Sequence, residues 1–173
     1  MNHTRKITLS ALFLALGITL PFLTMQIPEI GSQLLPMHLP VFLCGFVLGP
    51  FYGAIIGFIT PLLRSFLFVM PPILNASIMA FELAAYGFFT GYLYQTLSKN
   101  TLNIYISLVL SMLLGRIVWG ITSFMILGLN NTPFDFTMFI MGGFITALPG
   151  IILQVIIIPI FVITLRKARI IHE

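Results

Sequence analysis

Charged residues are what this sequence has least of: Asp, Glu, Lys and Arg make up 7% of 173 residues, against about a quarter in a soluble domain. With 59% of the chain hydrophobic, too little polar surface remains to face water, which excludes a water-soluble globular domain. Lysine is nearly missing. Lys6, Lys99 and Lys167 are the three present and none follows a glycine, so there is no Walker A phosphate loop and no ATP hydrolysis by that route. Cys44 is the single cysteine, which excludes an internal disulfide and a multi-cysteine metal centre; its plain reading is a small apolar residue on a helix. Only His38 among the histidines lies away from the termini, and there is no HExxH, GxSxG or paired-carboxylate pattern. No catalytic or metal site is therefore expected. The formal charge of +4 is no sign of nucleic-acid binding either, because most of the eight basic residues sit at the chain ends, where they set membrane orientation.

What is present is apolar length. Between its charges the chain runs uncharged over 7–28, 30–63, 65–81, 83–98, 100–115, 117–134 and 136–165. A helix needs roughly 20 apolar residues to cross a bilayer, and Pro, Gly and Asn clusters punctuate the runs. Helices are therefore expected near 5–24, 38–49, 51–70, 74–98, 101–127 and 136–166. The expected fold is all-α: a single bundle of six transmembrane helices in the cell membrane, with residues 1–173 forming one domain. The opening MNHTRKITLSALFLALGITLPFL has the basic start and apolar run of a signal peptide, but no small-x-small cleavage site follows Pro21, so it reads as a retained first helix. Basic residues gather on cytoplasmic connections. Arg5 and Lys6, Lys99, and then Arg166, Lys167 and Arg169 all fall on one side of a six-helix count. Both the N- and C-termini are then expected in the cytoplasm, with Glu29 and Asp135 in outward loops.

A charge inside a membrane helix costs about 2.5 to 3.5 kcal/mol on insertion scales, so each needs a partner or a task. Arg64, Glu82 and Arg116 fall inside the expected helices. At 1.5 Å of rise per residue all three lie roughly 9 to 17 Å below the outer surface, a common depth at which they can meet. One reading is a buried ion pair of Glu82 with one arginine, holding helices together. That leaves the second arginine and one surplus positive charge, which an incoming carboxylate would neutralise through the arginine fork. For Arg64 the other reading is that it snorkels to the headgroups.

Neutral hydrogen-bonding groups surround this level: Gln33, His38, Asn75, Trp119, Asn130, Asn131 and Gln154. Together they suit a polar, uncharged ligand body. Singly, each has a plainer role as a helix cap, an interfacial aromatic or a packed histidine. Ala11 and Ala15, four residues apart, form with Ser10 and Gly17 a strip of small residues where another helix can approach closely. Internal packing accounts for the same strip.

Two segments carry a family resemblance: LLPMHLPVFLCGFVLGPFYGAIIGFITPLLRS at 34–65 and MAFELAAYGFFTGYLY at 79–94. With the AxxxA pattern of Ala11 to Ala15, the chain resembles, over nearly its whole length, the substrate-binding S components of the energy-coupling factor (ECF) vitamin transporters. It is most similar to the pantothenate-type members; pyridoxine and hydroxymethylpyrimidine types are near relatives. Pantothenate is a monocarboxylate with two hydroxyls and an amide, which fits an arginine surrounded by neutral hydrogen-bonding groups. The resemblance implies an ABC-type importer subunit that captures vitamin from outside, with a lid within Thr24 to Met37. It implies docking through Ala11 and Ala15 on a membrane coupling protein, the T component. Two cytoplasmic ATPases would hydrolyse ATP with Mg, so no cofactor is expected in this chain. The alternative class is a ligand-free membrane assembly protein using its small-residue faces.

Overall fold

The computed structural model describes residues 2–24, 27–98, 100–129 and 132–168. Every regular element among them is helical. Helix α1 covers His3–Thr19 and tightens into a 3-10 stretch, Leu20–Thr24. Then follow α2 at Pro28–Leu34, α3 at His38–Leu48, α4 at Pro50–Phe68, α5 at Ile73–Thr96 and α6 at Thr101–Leu129. The last segment holds α7 at Phe136–Ile140, a π-type turn at Met141–Ile145 and α8 at Leu148–Lys167. Six helical stretches among the described residues are long and apolar enough to cross a membrane, one of them being α2 and α3 taken together. Asn130 and Asn131 lie outside the described residues, as do Lys99 and Arg169, on which the charge pattern partly rests.

Two departures from the sequence expectation bear on function. The stretch read as a loop, 24–37, contains helix α2. Pro28 opens it in the first turn, where a missing N–H costs nothing and the fixed φ already suits a helix, and Glu29 beside it complements the positive helix end. It stops at Leu35, which adopts the left-handed conformation with φ 51°. The second departure is the expected helix 136–166, which is interrupted ahead of α8. Gly142 and Gly143 lie in the π-type turn against the Trp119 ring, and Pro149 opens α8. The break between α3 and α4 is where Gly49-Pro50 puts it: Gly49 takes φ 91°, a conformation glycine adopts freely, and Pro50 starts the next helix.

The bundle is joined by glycines. In lipid, apolar surface gains little by leaving one hydrocarbon for another, so helices associate through close packing and hydrogen bonds. A methyl group at Gly53 would sit 2.5 Å from the Gly87 carbonyl oxygen, and one at Gly45 2.6 Å from the same atom. Gly57 meets the Leu83 backbone and Gly91 that of Gly49-Pro50. Helices α3, α4 and α5 thus touch backbone to backbone, which brings His38, Arg64 and Glu82 to one end of the bundle. Across α5 and α6, the Thr90 hydroxyl donates to Ser111 Oγ at 2.8 Å in a fully buried contact. Gly17 of α1 rests on the Thr60 side chain of α4.

The seam predicts its own sensitivity. Gly87→Ala should lower stability by about 1–3 kcal/mol through forced separation of packed backbones, read as a lower thermal unfolding midpoint in detergent. Gly128→Ala, where a methyl meets nothing within 4 Å, should leave that midpoint unchanged or raise it.

Candidate functional site

Arg64, Glu82 and Arg116 line one cavity of about 710 Å³, a volume typical of small-molecule sites. It lies where α1 and α4 finish and α5 begins. Helical spacing delivers its side chains: Asn75, Met79 and Glu82 recur at four and three residues along α5, and Arg116 and Trp119 at three along α6, so each set shares a face. The 27–37 segment adds Ile27, Gly31, Ser32, Leu35, Pro36 and Met37 to the wall, and the π-type turn adds Gly142.

At the floor, Glu82 is 2% exposed and Arg116 5%. Arg116 Nη1 donates to Glu82 Oε1 at 2.7 Å, and the Tyr86 hydroxyl donates to the same oxygen at 2.9 Å. Tyr86 stands one turn from Glu82, and its ring fits because Gly115 on α6 has no side chain there. His38 enters from the start of α3 with Nε2 3.7 Å from Glu82 Oε1, too far for a hydrogen bond. The Arg116 guanidinium also lies 5.9 Å from the Trp119 ring centroid, and that ring packs near Phe134 and Phe139.

Arg64 takes a separate position. It is 3% exposed and turned inward, so it does not snorkel. Its Nη1 donates to the Ile18 carbonyl at 2.5 Å, near the end of α1 where carbonyls lack intrahelical partners and the dipole is negative. The Phe22 and Phe68 ring centroids lie 5.0 and 5.6 Å from its guanidinium carbon, a cation–π arrangement. Among the described residues it forms no ion pair with Glu82. Its two arginines against one glutamate leave the cavity one positive charge in excess.

A family model described as the ECF transporter substrate-specific component matches residues 5–162. The chain belongs to that family. No curated protein and no solved structure matches it. This S component is accordingly a substrate-binding subunit of an ECF importer: a multi-pass protein of the cytoplasmic membrane that binds a small molecule and works with the transporter's other subunits.

Of the residues singled out in the sequence, six line the S component's main cavity: Arg64, Glu82, Arg116, His38, Asn75 and Trp119. Gln154 is placed beside it. It lines an adjoining cavity of about 200 Å³ together with His38, Tyr86 and Arg116, and its Nε2 donates to the Leu35 carbonyl at 3.3 Å. Gln33 is exposed on α2 and lines neither cavity, while Asn131 lies outside the described residues. Ala11 and Ala15 are exposed on α1. Sequence reasoning passed over Tyr86, whose signal was its position four residues after Glu82. It also passed over Phe22 and Phe68, which carry no signal until the fold closes on Arg64.

Removing one partner of a buried ion pair strands the other charge. Glu82→Ala should therefore cost about 3–5 kcal/mol, whereas Glu82→Leu combined with Arg116→Met, which replaces both charges with apolar volume, should cost far less. Thermal unfolding of the two variants beside the parent decides this; equal losses would mean the pair is not coupled.

Proposed function

We propose that this S component captures pantothenate from the cell exterior and hands it on through a complex with a membrane coupling protein and two cytoplasmic ATPases. The observation that carries this reading is the charge balance of the cavity, where Arg64 and Arg116 face a single carboxylate. Each guanidinium carries five N–H donors, and the described residues take one hydrogen bond from each. Donors remain on both for a substrate carboxylate, and a water-poor wall makes that attraction stronger than in solution. Asn75 and Trp119 offer further polar contact to the body of such a molecule, with Gln154 lining the adjoining cavity.

In this reading both termini are cytoplasmic and the cavity opens outward under a lid formed by the 24–37 segment, helix α2 included. Ala11 and Ala15, exposed on α1, are the contacts to the coupling protein. The ATPases bring ATP and Mg, and this chain binds no cofactor of its own.

Trp119 is the single tryptophan and lines the cavity, so its fluorescence reports occupancy without a label. Micromolar pantothenate should change that fluorescence and raise the thermal midpoint, since a ligand at 100 times its Kd stabilises by about 2.7 kcal/mol. Pyridoxine and hydroxymethylpyrimidine, which lack a carboxylate, should do neither. Arg64→Gln and Arg116→Gln should each weaken pantothenate binding by about tenfold or more, as expected for the loss of a hydrogen bond to a charged group. A shift with a neutral vitamin would reassign the substrate. Silence across the panel, with no small molecule detected by mass spectrometry of the purified protein, would favour an assembly role.

A further inference from the structure

The floor of the cavity holds hydrogen-bonding capacity that the fold leaves unused. Arg116 and Tyr86 both reach Glu82 Oε1, and no hydrogen bond from the described residues goes to Oε2. His38 is 2% exposed, yet neither Nδ1 nor Nε2 has a hydrogen-bond partner. Native proteins rarely leave buried polar groups in this state, because the desolvation cost is then met by no compensating bond. The imidazole borders both the main cavity and the adjoining one, so the space it faces is space a ligand can enter. Tyr86, 5.3 Å away between ring centroids, flanks it on the Glu82 side.

We infer that Glu82 Oε2 and the His38 imidazole form a hydroxyl-reading subsite, which makes the substrate a hydroxylated carboxylate held in a fixed direction. This rests on the anionic reading given above and adds to it. A carboxylate group only accepts hydrogen bonds, so the Glu82 carboxylate repels the acidic end of the substrate, which turns to the unused guanidinium donors of Arg64 and Arg116. A hydroxyl has one donor and two acceptor positions. It donates to Glu82 Oε2 and accepts from a ring N–H of His38, giving each of the two side chains a partner. An analogue that lacks the hydroxyl leaves both unpaired, and sites built in this way discriminate strongly against such analogues.

The test uses the full chain in detergent, with binding read by Trp119 fluorescence and by calorimetry. The probes are pantothenate, its analogue lacking both hydroxyls, and its carboxamide. The parent protein should bind pantothenate on the order of 10- to 100-fold tighter than the analogue without hydroxyls. His38→Leu should lose about tenfold for pantothenate and almost nothing for that analogue. Its ligand-free thermal midpoint should hold or rise, because the substitution breaks no internal hydrogen bond. Equal affinity of the parent for pantothenate and the hydroxyl-free analogue overturns the inference without any variant, and so does undiminished pantothenate binding by a folded His38→Leu protein. The carboxamide addresses the underlying reading by itself: if it binds as tightly as pantothenate, the anionic assignment fails whatever the hydroxyl comparison returns. Absence of binding by all three probes overturns both.

Discussion

The contact between Glu82 and Arg116 is the constraint around which this end of the bundle is arranged. A carboxylate and a guanidinium taken out of water each carry a desolvation cost of several kcal/mol, and their mutual attraction repays it only with close geometry and further hydrogen bonds. The surroundings supply both. Tyr86 adds a second donor to the same carboxylate oxygen, and Gly115 leaves room for its ring. Trp119 flanks the arginine, and the paired glycines of the π-type turn leave room for the indole. Moving α5 against α6 would disturb all of these together, so the ion pair sets the register of those two helices near the cavity as the Thr90–Ser111 hydrogen bond does further along.

A second anchor works at the rim. Arg64 joins α4 to the end of α1 through the Ile18 carbonyl and is flanked by Phe22, in the 3-10 stretch, and Phe68. On the other side, α2 rests against Gly150 of α8, and Gln154 holds the Leu35 carbonyl. Helix α2 is thus tied to α8, while the cation that joins α4 to the end of α1 itself lines the cavity.

The family places this chain within a transporter, and its own chemistry suits the division of labour. A binding subunit needs a shaped, partly dry chamber with a few directed polar groups, and here nearly all of the intramembrane charge is concentrated in that chamber. Along the spans, large apolar side chains such as Leu12, Phe66, Leu110, Phe124 and Ile156 are exposed, as a chain that meets lipid requires. The glycine seam among α3, α4 and α5 serves the same end, since backbone contact leaves little freedom for His38, Arg64 and Glu82 to drift apart.

Composition and hydropathy alone determined that the protein lies in a membrane and that six helical stretches are long enough to cross it, and they singled out Arg64, Glu82 and Arg116, which line one cavity. These are one-dimensional properties, counted in residues along each helix, and a linear text records them fully. The rotation of each helix about its axis is not of that kind. That Glu82 pairs with Arg116 while Arg64 turns to the end of α1 depends on which faces the helices present to each other. Those faces are set by contacts such as Gly53 with Gly87 and Gly115 with Tyr86, between residues remote in the chain. The helix within 28–34 and the interruption at 141–145 were hidden for a related reason. Pro28 and Gly142-Gly143 are read locally as punctuation, and only packing against α8 and Trp119 turned one into a helix start and the other into a wall of the cavity.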